Sequence, residues 1–145
     1  MSDFSIPIRV YVEDTDAGGI VYYVNYLKYM ERARTELLRS LGYEKPAVFR
    51  EGLMFVVKSV EINYLSSAQL DDRLLASARI MKVGRASLLM KQEVFRANGN
   101  SGEPLCGGVV KIACITHQGR LPAPMPEEMY RHLQALIQED RKSVV

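Results

Sequence analysis

The stretch Asn25-Tyr26-Leu27-Lys28-Tyr29-Met30-Glu31-Arg32-Ala33-Arg34-Thr35-Glu36-Leu37-Leu38-Arg39-Ser40-Leu41 decides the fold. Its apolar Leu27, Met30, Ala33, Leu37 and Leu41 recur at three- and four-residue steps, with Lys28, Arg32 and Arg39 elsewhere. That spacing lines one face of an α-helix. Gly42 follows where a helix C-cap favours a residue free to turn left-handed. At about 1.5 Å per residue the helix is about 25 Å long, enough to cross the whole sheet of a small domain.

On its N-terminal side, Ser5 to Val12 sets Ile6, Ile8, Val10 and Val12 against Pro7, Arg9 and Tyr11. This period of two predicts a strand, with Pro7 keeping its start at a sheet edge. On the C-terminal side, Pro46 and Gly52 bracket a short second helix. Phe55 to Tyr64, Arg73 to Val83, Ser87 to Ala97 and Leu105 to Thr116 then alternate as four strands, as in Leu74/Ala76/Ala78/Ile80 and Cys106/Val110/Ile112/Cys114. Asn98 to Gly102 reads as the hairpin loop between the last two. Pro126, Glu127 and Glu128 open a terminal helix with Met129, Leu133, Leu136 and Ile137 on one face. One antiparallel sheet curled round one central helix buries the apolar faces in this order of elements, an α+β fold in a single domain over residues 1–145. Helix covers only one sheet face, while Leu75, Val109 and Ile115 lie on the other alternation. The sequence therefore predicts a dimer at least.

Composition narrows the class. Of 145 residues, 48% are apolar and 25% charged, the balance of a folded globular domain. Lys and Arg outnumber Asp and Glu by 19 to 17, a surplus too small for neutralising many nucleic-acid phosphates. No run approaches the roughly 20 apolar residues of a membrane helix, and Asp3 and Pro7 interrupt any signal-peptide pattern, so a cytoplasmic protein is expected. Cys106 and Cys114 stand eight residues apart in one strand, about 26 Å at about 3.3 Å per residue, too far for a disulfide. With His117 and His132 they form no metal-site spacing, and neither histidine sets up a triad. No metal or cofactor is expected.

The chemistry concentrates between the first strand and the long helix, in Glu13-Asp14-Thr15-Asp16-Ala17-Gly18-Gly19. The first amides of a helix have no intrahelical partner and carry about half a positive charge, so they stabilise an oxyanion while a neighbouring carboxylate attacks or activates water. An ordinary acidic turn fits the same spacing.

The run Arg9-Val10-Tyr11-Val12-Glu13-Asp14-Thr15-Asp16-Ala17-Gly18-Gly19-Ile20-Val21-Tyr22-Tyr23-Val24-Asn25-Tyr26, continued by Met30-Glu31-Arg32-Ala33-Arg34-Thr35-Glu36, closely resembles the hotdog-fold acyl-CoA thioesterases. Within them it is most similar to the branch associated with the Tol-Pal system, beside the 4-hydroxybenzoyl-CoA thioesterases. Phe55-Val56-Val57, Ala68-Gln69-Leu70-Asp71-Asp72 and Gly84-Arg85-Ala86-Ser87 extend the likeness along the chain. The resemblance implies a hotdog fold, hydrolysis of an acyl-CoA, and a site between subunits of a dimer or a dimer of dimers.

It also implies roles for residues. Asp16 falls on the catalytic carboxylate and the amide at about Tyr23 on the group that polarises the thioester carbonyl, with Asp14 structural. Many members of the Tol-Pal branch carry His where this chain has Tyr23, as the hydroxybenzoyl branch does. A backbone donor survives that exchange, and the Tyr23 hydroxyl is the alternative donor. Gly19, Val24, Tyr26, Glu31, Met54, Phe55 and Val56 are the candidates for contact with the acyl group. Arg85 is the leading candidate for the coenzyme A phosphates, since its fork makes two parallel bonds to phosphate oxygens. Lys58 and Ser87 follow it.

Other classes share this fold. A non-hydrolytic module binding acyl-CoA or acyl carrier protein beside an envelope complex needs no carboxylate, so Asp16 speaks for the enzyme. A hydratase would want His or Asp on the central helix, and Asn25 to Leu41 holds neither.

Overall fold

The structure, a computed structural model, describes residues 4–43, 52–97 and 103–143, the last six by their backbone alone. The elements are β1 (Phe4–Arg9), α1 (Val24–Ser40), β2 (Leu53–Tyr64), β3 (Arg73–Val83), β4 (Ser87–Arg96), β5 (Cys106–Thr116) and α2 (Glu127–Ser143). The helix expected after Pro46 and the hairpin loop at 98–102 lie outside the described residues, apart from Gly52, which is in a turn.

All strand pairs are antiparallel, in the order β1-β3-β4-β5-β2. Pro7 sits on edge strand β1 opposite Leu75, where a missing N–H costs no ladder bond. The inward alternation, Leu74, Ala76, Ala78 and Ile80 with Leu88, Met90 and Val94 and with Cys106, Val110, Ile112 and Cys114, is buried. Tyr29, Met30 and Ala33 of α1 are fully buried in the same cluster, where α1 packs on β1, β3 and β4. Burying a side chain such as Met30 contributes roughly 1.5–3 kcal/mol, so this interface holds the helix down. Met129, Leu133 and Ile137 of α2 join the cluster. This is the hotdog arrangement that the resemblance implies.

The end of α1 follows the glycine rule. Gly42 has φ +102°; its N–H donates to the Arg39 carbonyl at 2.9 Å and the Tyr43 N–H to that of Leu38 at 3.1 Å, closing the last turn. β1 is shorter than its alternation suggests. The Tyr11 N–H donates to Asp14 Oδ2 at 2.9 Å, and the chain turns into a 3₁₀ turn over Val12–Asp14 instead of continuing as strand.

Leu75 and Val109 remain half-buried on the outer face, while Ile115 is already covered within one chain, bridged to Pro122. Ile115 therefore does not belong to the open face. β2 is the other edge, and its Val57, Val60 and Tyr64 are exposed.

Candidate active site

Asp16 lies at the base of a tight turn. Its N–H donates to the Ile20 carbonyl at 2.9 Å, the Gly19 N–H donates back to its carbonyl at 3.1 Å, and the flanking Thr15 and Val21 form a bridge. Gly19 takes φ +81°, which a side chain there resists. Asp16 Oδ1 accepts the Gly18 N–H at 2.8 Å. Its other oxygen bonds nothing among the described residues, and the side chain is exposed. One oxygen orients the group and the other is free to react.

Asp14 does the opposite. It is buried, with both oxygens committed: Oδ1 accepts from Asn25 Nδ2 at 2.8 Å and Oδ2 from the Tyr11 N–H at 2.9 Å. Its carbonyl accepts the Tyr22 N–H at 2.9 Å. Burial, reinforced by the Asp14 charge, raises the pKa of the sealed Tyr29 hydroxyl. Asp14 therefore ties the loop to the first turn of α1, so the free carboxylate and the helix-start amides move as one body.

At that start Tyr23 is the cap residue, with no side-chain capping bond. The Asn25 N–H donates to Tyr22 and that of Tyr26 to Tyr23, whereas the N–H groups of Tyr23 and Val24 have no acceptor among the described residues. These two amides are the unspent donors that the sequence leads one to expect. The Tyr23 ring meets Tyr64, the last residue of β2, edge-on at 5.7 Å. Tyr26 also touches Tyr64, at 5.8 Å, but is buried, and its hydroxyl accepts the Ala68 N–H at 2.9 Å. Its side chain anchors α1 and is not open to an acyl group, contrary to the expected contact.

A cleft of about 230 Å³ opens between α1 and β2. Glu31, Phe55 and Val56, expected to meet the acyl group, all border it. Met54, which pairs with Ile115 on β5, does not border it, contrary to the expected contact. Arg34 also borders the cleft and is bonded to the buried Gln92 of β4. No sequence signal linked those two residues, which lie 58 apart.

Arg85, Ser87 and Lys58 form a separate cluster. Arg85 is at the β3–β4 turn; Ser87 pairs with Ala113, and Val57, next to Lys58, with Ile112. The Asp16 loop instead meets Ala68 and Leu70, just before β3. The 11 residues of β3 separate the two clusters, roughly 35 Å at about 3.3 Å per residue. Arg85 bonds the Glu127 carboxylate and stacks over the Tyr130 ring, 4.1 Å from its centroid. One chain thus holds the expected site residues as two groups, and Val57 and Ile112, beside Lys58 and Ser87, line the cleft. Among the described residues no group of His, Cys, Asp and Glu could hold a metal ion.

Residues 18–103 match the thioesterase superfamily. The chain belongs to that superfamily. The match begins two residues past Asp16. Over 135 residues this superfamily member is 40% identical to the acyl-CoA thioesterase YbgC of Haemophilus influenzae, covering 90% of this chain and 96% of that protein. It is 35% identical over 126 residues to the acyl-CoA thioester hydrolase YbgC of Escherichia coli O157:H7, with 87% and 92% covered. A probable thioesterase from Bartonella henselae has the same hotdog architecture, with a TM-score of 0.75 at 36% identity over 87% of this chain and 99% of that one.

Proposed function

We propose that this chain hydrolyses acyl-CoA thioesters to a carboxylic acid and free coenzyme A. One observation carries the reading: a half-tethered, exposed Asp16 carboxylate on a loop that Asp14 fastens to a helix with two unspent N-terminal amides. A thioester carbonyl is electrophilic, and its oxygen gains charge as a nucleophile adds, which the Tyr23 and Val24 amides are placed to stabilise. Asp16 then acts in one of two ways. As nucleophile it forms a mixed anhydride, expelling the coenzyme A thiolate, which takes a proton, and water hydrolyses the anhydride. As general base it takes a proton from the attacking water. Both routes need the same free oxygen.

A dimer or a dimer of dimers is the second part of the proposal. The exposed edge of β2 and the half-buried outer face give a second copy somewhere to dock. An antiparallel partner on that edge would bring its Arg85 end toward the Asp16 end of the first chain. Arg85, with Lys58 and Ser87, then receives the coenzyme A phosphates once Glu127 releases it. The cytoplasm, where coenzyme A thioesters are made, is the proposed location.

The test is release of thiol from acyl-CoA by the purified protein and by Asp16→Asn. Turnover by the parent, lost in the variant, supports the reading. A parent that releases no thiol from short, long or aromatic acyl-CoA defeats it.

A further inference from the structure

The cleft between α1 and β2 has an apolar wall of Leu38, Phe55 and Val57 and a polar strip of Glu31, Arg34 and Thr35. Arg34 is buried enough for desolvation to lower its pKa. Its Nη1 donates to Gln92 Oε1 at 2.9 Å. Gln92 is fully buried and held in one orientation, because its amide nitrogen donates to the carbonyls of Met30 at 2.9 Å and Ser77 at 3.2 Å. No carboxylate among the described residues lies within ion-pair distance of Arg34. Glu31, one turn earlier, acts on it only through its charge and bonds the Thr35 hydroxyl, accepting it at 2.7 Å.

A guanidinium has five N–H donors, and Gln92 takes one. Tyr29 Oη is the one sealed side-chain N or O atom without a partner among the described residues. The unspent donors of Arg34 are therefore not sealed, and the open space that Arg34 borders is the cleft. Such donors cost free energy when an apolar occupant displaces their water and offers no acceptor. A saturated acyl chain offers none and excludes water as it fills the cleft, whereas an oxygen carried on the chain satisfies the guanidinium.

We propose that Arg34 is a specificity-determining residue, selecting acyl groups that carry a hydroxyl or carbonyl oxygen away from the thioester over saturated chains of the same length. This rests on the hydrolase reading above. Arg34 follows Tyr23 by eleven positions, about 16 Å along the helix at about 1.5 Å per residue, so the oxygen lies well along the chain.

The experiment measures kcat/KM for matched pairs, each a saturated acyl-CoA and its ω-hydroxy counterpart, over a series of chain lengths, with the parent, Arg34→Met and Arg34→Lys. The parent should favour the hydroxylated member by at least about tenfold at one or more lengths, and Arg34→Met should bring that ratio toward one. If Arg34→Met does not fold, Arg34→Lys decides, since it lacks the fork: a reduced ratio supports the proposal and an unchanged ratio overturns it. A parent with no preference at any length, or an undiminished preference in Arg34→Met, also overturns it. A parent that hydrolyses no member of any pair overturns the hydrolase reading instead.

Discussion

Replacing Asp14 and Asp16 in turn by Asn separates the two carboxylates by what each variant loses. Asp14 is 6% exposed and accepts one bond on each oxygen, from Asn25 Nδ2 and the Tyr11 N–H. Asn has a single carbonyl oxygen, so its NH₂ must face one of those donors. The variant forfeits a bond to a charged group and leaves a buried donor unmet, about 2–4 kcal/mol together. For a chain of this size that is a fall in Tm of roughly 10 °C. Asp16 is exposed and its single bond, from the Gly18 N–H, can be kept by the Asn oxygen, so stability should move by no more than about 0.5 kcal/mol. Turnover should fall at least about a hundredfold, the low end for loss of a general base. Thermal unfolding followed by circular dichroism and thiol release, both on the same preparations, read the two losses. Near-parent turnover in Asp16→Asn refutes the catalytic assignment. An unchanged Tm in Asp14→Asn, with activity lost as deeply as in Asp16→Asn, refutes the division of labour and moves the chemistry to Asp14.

Light scattering should find a dimer or tetramer at micromolar concentration, and a stable monomer would remove the shared-site geometry. Arg85→Ala should raise KM for acyl-CoA more than for a short thioester lacking the nucleotide, leaving kcat nearly unchanged; an equal rise on both would take Arg85 out of phosphate binding. The bond from Arg85, with Arg131 nearby, holds the Glu127 carboxyl below its usual range. Its contribution to holding α2 is therefore present above the ordinary carboxylate range and lost as pH falls through the lowered value. Amide protection in α2, relative to the unfolded-chain exchange rate at each pH, should fall in acid in the parent and already at neutral pH in Glu127→Gln. Burial pushes the Cys106 thiol up to about 12 and raises that of Cys114. Ellman's reagent should thus find no thiol in the native protein at neutral pH and two per chain in denaturant; rapid native labelling would contradict their burial.

Elements with a strong local period were legible in the sequence. The helix expected over residues 25–41 forms over 24–40, and β3 has the bounds that its alternation implies. That the Asp16 loop sits against the start of α1 was legible because a loop and the helix it feeds are neighbours along the chain. What escaped depended on distant pairing. Tyr11 and Val12 continue the alternation of β1, yet Asp14, three residues on, captures the Tyr11 N–H and bends the chain away. Met54 and Phe55 are both apolar, and only the register against β5 tells which faces the helix. That register shifts between Val57 and Ser59, so no single parity describes β2. The bond from Arg85, the expected phosphate contact, to Glu127, 42 residues away, leaves no local trace in the sequence.

The bond between Arg34 and Gln92 also bears on how the helix responds to acid. Arginine is often held in protein interiors by a carboxylate, and such a tie weakens when the carboxylate takes up a proton. Here the acceptor is an amide oxygen, which does not titrate, and a guanidinium keeps its proton far above neutrality. The tie joins the middle of α1 to the centre of the sheet and stays the same from acid to neutral solution. The middle of α1 should therefore stay fastened to the sheet as the solution is made acid.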